Sequence, residues 1–148
     1  MKDVLEWANV FFSIIVIVST SYGMNIEEPK SETDWVEHLS GYFGSWLQDG
    51  VETEKVLANG KRVDIYTNRI ACEADWAKSP KHYEAIGQAK YYAAVTGKVP
   101  AVLLLVTEDS EYRQVVDVLL AVRGTNIEVY VYDIPRKRWH VAPKRKEL

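Results

Sequence analysis

The sequence predicts an α/β domain on a mixed β-sheet, with elements in the order α-β-β-β-α-β-α-β. Three observations point there. Residues 101–106 are uninterrupted apolar, with Val-Leu-Leu-Leu-Val at their centre, as in a strand buried on both faces. Residues 62–66 and 70–75 are short alternating segments separated by the turn-forming Thr67-Asn68, which reads as a hairpin. Helical spacing of apolar residues frames this pair, before it in residues 34–48 and after it in residues 81–96.

Each element has its own justification. Thr33 is placed to cap a first helix carrying Trp35, Leu39, Tyr42 and Phe43, which Asp49-Gly50 ends. Residues 52–57 are extended and lead to a turn at Ala58-Asn59-Gly60. The hairpin follows, and then a loop over 76–80. The second helix closes at Gly97, the natural C′ residue because it tolerates a left-handed backbone. After the apolar strand, Asp109 or Ser110 caps a third helix carrying Val115, Val116, Leu119 and Leu120, with Gly124 beyond it. Residues 128–132 form the last expected strand, and Pro135 stops it.

At 148 residues the chain suits one domain of ordinary size. Its single cysteine, Cys72, excludes an intrachain disulfide and a cysteine-rich zinc cluster, and reads as a small core residue. His38, His82 and His140 fit no metal-ligand spacing. No Ser or Cys nucleophile arrangement and no phosphate-cradling glycine loop is present.

The ends differ from the middle. Residues 10–18 are apolar around Ser13 and no charge interrupts 7–26, so residues 1–24 read as an export leader or a membrane anchor. The protein is accordingly expected to be exported or membrane-anchored through that segment, and otherwise cytoplasmic. Residues 25–32, with Pro29, read as a linker, residues 33–134 as the domain and residues 135–148 as a basic tail. The net charge of −3 conceals an asymmetry: residues 134–148 carry six Lys/Arg and one Glu, a balance of +5 against −8 for the rest. Arg136, Lys137, Arg138 and Trp139 mix positive charge with an aromatic, as phosphate contact and base stacking require; the bland alternative is a solvated terminus.

The chemistry concentrates in residues 54–92. Asp64, Glu73 and Asp75 sit in strand-like runs, where a carboxylate is costly unless paired or bound to a cation. A two-residue hairpin turn makes paired positions sum to an odd number, which sets Asp64 and Glu73 opposite or one diagonal step apart on one face. Glu54 joins them only if the Asn59-Gly60 turn is a three-residue loop with a left-handed glycine. Arg62 and Arg69 are the alternative partners for these acids. A hard, oxygen-seeking ion such as Mg²⁺ or Mn²⁺ would relieve their repulsion. On the next helix Lys81, Gln88 and Tyr92 fall on one stripe that could orient a phosphate and a water, or simply be an exposed polar face.

These residues resemble the PD-(D/E)XK nuclease superfamily over residues 33–132. The pieces are Glu54, Arg62-Val63-Asp64, Glu73-Ala74-Asp75 and Gln88-Ala89-Lys90-Tyr91-Tyr92, the last matching the Gln-x-x-x-Tyr helix signature of its RecB-like branch. The resemblance implies a restriction-endonuclease-like core and metal-dependent phosphodiester hydrolysis, with DNA as partner. It implies Asp64 and Glu73 as metal ligands, the carbonyl of residue 74 as a further one, and Glu54 and Asp75 as accessory acids. Gln88 and Tyr92 would position the strand or the water. One departure stands out. Asp75 occupies the place of the strand lysine, so the resemblance implies a lysine relocated to the following helix, Lys81 first and Lys78 second. The alternative is a nuclease-fold domain that binds nucleic acid or a partner protein without cutting.

Overall fold

The computed structural model describes residues 28–47 and 50–143. The leader expected over 1–24, residues 25–27 of the linker, Asp49 at the end of the first helix and the last five residues of the expected tail lie outside those residues. The chain is α/β, with three α-helices and a six-stranded mixed sheet. In chain order the elements are α1 (Glu32–Leu47), β1 (Val51–Val56), β2 (Arg62–Thr67), β3 (Ile70–Trp76), α2 (His82–Thr96) and β4 (Val99–Val106). A 3₁₀ turn (Asp109–Glu111), α3 (Tyr112–Ala121), β5 (Glu128–Asp133) and β6 (Arg138–Val141) complete it. The strands lie in sequence order, β3–β4–β5 parallel and the other neighbours antiparallel. Among the described residues no helix is long and apolar enough to cross a membrane.

Helix α1 begins earlier than Thr33 predicts. The Ser31 hydroxyl accepts the Asp34 N–H at 3.1 Å while Asp34 Oδ2 accepts the Ser31 N–H at 2.9 Å. This reciprocal cap satisfies N-terminal donors from both ends and brings Glu32 inside the helix.

Residues 101–106 are buried throughout, as the apolar run predicts. Alternation along β4 sends Leu103 and Leu105 to one core with Trp35, Val36, Leu39 and Phe43 of α1. It sends Val102, Leu104 and Val106 to a second core with Ala85 and Ala89 of α2 and Val115 and Val118 of α3. The sheet is thus covered on both sides. Replacing Leu104, which is fully buried, by Ala should cost about 3 kcal/mol in denaturant unfolding; a loss below 1 kcal/mol would mean that the second core does not depend on it.

Two details depart from the sequence reading. On α3 the buried residues are Val115 and Val118, whereas Val116, Leu119 and Leu120 are exposed. The helix has only ten residues, and one narrow stripe of it meets the sheet. The second departure is at the C-terminus, where the expected tail contributes a strand. Trp139 pairs with Tyr132 and packs edge-on against Phe43 and Tyr132, with ring centroids at 5.9 and 5.1 Å. Arg136 donates to Asp109 at 2.7 Å and to Asp133 at 2.8 Å. Lys137 lies 3.4 Å from Glu28. Of the expected nucleic-acid-binding patch, Trp139 therefore packs into the fold and Arg136 is engaged by Asp109 and Asp133, while Arg136, Lys137 and Arg138 all remain exposed.

Candidate functional site

The site grows out of the β1–β2–β3 meander. Ala58, Asn59 and Gly60 form a three-residue loop: the Leu57 N–H donates to Lys61 O at 2.8 Å, and Gly60 takes φ +76°. Such a loop keeps paired positions of β1 and β2 at an even sum, Lys55 with Val63 and Thr53 with Ile65. Between those pairs Glu54 faces Asp64 in number. Across the next turn Ile65 pairs with Cys72 and Tyr66 with Ala71, an odd sum that carries Asp64 opposite Glu73. Turn parity therefore gives three acids of three strands matching register positions.

Regular pairing of β2 with β3 ends at Ile65 and Cys72. Past that point the Asp64 carboxylate, in place of a ladder carbonyl, accepts the Ala74 N–H at 2.7 Å. The strands part there. A cavity of about 190 Å³ is lined by Glu73, Ala74 and Asp75 of β3, by Lys81 just before α2 and Glu84, Ala85 and Gln88 within it, and by Glu32 of α1. Cys72 and Ala74 alternate away into the core under α1.

The electrostatics of this corner are unfavourable without a counter-charge. Glu73 Oε2 is buried and has no hydrogen-bond partner. Burial first, then the neighbouring charge of Asp64, push the Glu73 carboxyl up to about 9. Burial raises Asp64 to about 6 against the opposing Ala74 hydrogen bond. Burial and the charge of Asp75 raise Glu32 to about 7. Burial raises Asp75 as well, although its Oδ1 accepts the Trp76 N–H at 2.8 Å.

The expected site residues are brought together unequally. Glu73, Asp75, Lys81 and Gln88 line the cavity, and Asp64 adjoins it through its hydrogen bond from the Ala74 N–H. Glu54 is held by Arg62, Oε2 to Nε 3.0 Å, and its backbone is left-handed at φ +51°, which takes it out of the regular alternation. Arg69 is committed elsewhere, forked onto Glu128 at 2.5 and 2.8 Å. Tyr92 is buried against Val63 and Ala71, beneath the helix and outside the carboxylate cavity. Lys78 lies over the Trp76 ring, 5.8 Å from its centroid. His82 is buried, its Nδ1 2.7 Å from Ser79 O, and does not line the cavity.

Glu32 is the residue that the sequence reading missed. An acid in the first turn of a helix is common for reasons of the helix dipole, and only the true cap at Ser31 would have placed it in α1.

No protein-family model, curated protein or solved structure matches the chain. The site must therefore be judged on its own donors. They are carboxylate oxygens, the set that a hard divalent cation prefers. Among the described residues no three His, Cys, Asp or Glu side chains converge on one point as they stand. The unpartnered Glu73 Oε2 beside Asp64 nevertheless fits a cation, which would relieve both burial and repulsion.

Proposed function

We propose that the chain is a metal-dependent nuclease of PD-(D/E)XK type, built on a restriction-endonuclease-like core and hydrolysing phosphodiester bonds in DNA. The observation that carries the reading is the unpartnered oxygen of Glu73, in register with Asp64 by the parity of the β2–β3 pairing, in a cavity also lined by Lys81 and by Gln88 of the next helix. Mg²⁺ or Mn²⁺, held by Asp64 and Glu73 with Glu32 and Asp75 alongside, would supply Lewis-acid polarisation of a water and of the phosphate. The chain supplies the rest. The Ala74 N–H fixes the Asp64 carboxylate. The Lys81 ammonium, at the residue preceding α2, counters charge building on the phosphate and stands in for the lysine that Asp75 replaces. The Gln88 amide orients the attacking water or the strand. Tyr92, buried one turn further on, positions Gln88 by anchoring the helix to β2 and β3.

The test is nicking of supercoiled DNA that requires Mg²⁺ or Mn²⁺ and stops on chelation. Lys81→Ala should slow it by about 10²-fold or more with little change in metal affinity. An unaltered rate would remove Lys81 from the chemistry. A second reading, a non-cutting nuclease-fold domain that binds nucleic acid or a partner protein, is favoured by Asp75, an acid where a cation is wanted. DNA binding without metal-dependent turnover would establish it.

A further inference from the structure

The carboxylate cavity, at about 190 Å³, is small beside ordinary ligand sites of about 300–1,000 Å³. It shares Glu84 and Gln88 with a second cavity of about 420 Å³, lined also by Lys61, Gly87, Tyr91 and Tyr92. Two features of this neighbour bear on what it can hold.

The first is Gly87. It sits mid-helix in α2, where glycine costs about 1 kcal/mol relative to alanine. A Cβ built there meets nothing within 4 Å, so neither packing nor backbone conformation asks for glycine. The absent side chain keeps the cavity open.

The second is Tyr91. Its ring is 47% exposed, yet it is held in place. Its hydroxyl accepts from Asn59 Nδ2 at 2.7 Å, which ties α2 to the β1–β2 loop, and its edge meets Tyr92 at 5.9 Å. Ordering a surface aromatic without burying it loses conformational freedom for little folding gain. Tyr83, Gly87 and Tyr91 follow one another at steps of four along the helix, so an exposed aromatic stands on each side of the glycine gap.

We infer that this cavity seats an unpaired nucleotide of a single-stranded nucleic acid, its base stacked on Tyr91 over Gly87 and its phosphate toward Lys61. The Glu84 carboxylate and the Gln88 amide, bonded to each other at 3.4 Å, form the wall between this nucleotide and the carboxylate cavity. Glu84 repels phosphate, which sets the polarity of the seat: sugar–phosphate outward at Lys61, base inward. Unpaired bases offer the π-face that a duplex conceals. The inference rests on the nuclease reading for its placement beside a reacting centre, but its test reads binding alone.

The test is fluorescence anisotropy of the full chain with labelled oligothymidylate and with a duplex of equal length, in the presence of a chelator so that nothing is cut. Single strands should bind more tightly than duplex. Tyr91→Ala should weaken single-strand binding about 5- to 100-fold and leave duplex binding unchanged, while Tyr91→Phe retains it. Gly87→Leu, whose Cβ has nothing within 4 Å and whose fold a thermal melt checks, should weaken the single strand likewise. Lys61→Ala should lower the salt dependence by about one phosphate contact. Oligouridylate binding as well as oligothymidylate would keep the seat and admit RNA to it. Wild-type affinity in Tyr91→Ala and Gly87→Leu, or equal losses for single strand and duplex, would overturn the inference. A chain that cuts DNA yet shows those results loses only this inference; one that binds through Tyr91 and never cuts loses only the nuclease reading.

Discussion

Glu73→Gln should abolish metal-dependent nicking, by ~10³-fold or more, and at the same time stabilise the metal-free chain. Both effects come from one carboxylate. Its Oε2 is buried without a partner, so it is costly in the apo fold and open to a cation. Burial and the nearby Asp64 raise its carboxyl to about 9 from an ordinary 4.5. A raised acid holds its proton more tightly folded than unfolded, so its stabilising contribution is complete below pH 4.5 and is lost as pH rises toward 9. Asp64, raised to about 6, and Glu32, raised to about 7, act in the same direction over narrower windows. Thermal melts in chelator should therefore fall in midpoint from mildly acid to mildly alkaline pH. The slope should flatten in Glu73→Gln, and Mg²⁺ or Mn²⁺ should raise the wild-type midpoint by mass action. Asp64→Asn should match the loss of activity. Nicking that survives either substitution would end the nuclease reading; a wild-type pH slope in Glu73→Gln would show that this carboxyl is not the strained one.

The second large effect belongs to the far end of the sheet. Asp133 closes β5 with its side chain wholly buried. Its carboxylate accepts from the Tyr112 hydroxyl at 2.8 Å, from the Arg136 N–H at 2.9 Å and from the Arg136 guanidinium at 2.8 Å, with His140 Nε2 at 3.3 Å. Burial by itself would raise this acid, but the Arg136 and Tyr112 hydrogen bonds outweigh it and hold the group at about 2, below its ordinary 3.8. Asp133→Ala should cost about 2–4 kcal/mol in denaturant unfolding, because it orphans several donors at once. The wild-type contribution is in place above pH 3.8 and is lost as pH falls toward 2. A substitution that left stability and its acid limb unchanged would show that β6 and α3 are held to the sheet by packing alone.

Much of this arrangement was legible before any coordinate. Asn59-Gly60 marks a turn, with a three-residue loop as one of its options, and Gly97 a helix end, both observed with left-handed glycines at φ +76° and +70°. The hairpin parity that sets Asp64 opposite Glu73 follows from counting residues between alternating strands. What stayed hidden were choices between equivalent local options. Ser31, Thr33 and Asp34 are all competent cap residues, and the reciprocal bonds of Ser31 and Asp34 decided the start of α1 and with it Glu32. Arg136 and Trp139 read as a basic aromatic patch because charge density is visible in one dimension, whereas Asp109 and Phe43, which engage them along with the nearby Asp133 and Tyr132, are distant in sequence.

The sequence by itself determined the element order as far as β5, the doubly buried strand and the shared parity of Asp64 and Glu73, because periodicity, turn geometry and side-chain alternation act over a few residues. Only the tertiary structure decided which acid an arginine neutralises, Glu54 by Arg62, and which is left buried and unpaired, Glu73. Burial and charge pairing depend on what packs against a residue, and that is settled only when the helices close over the sheet.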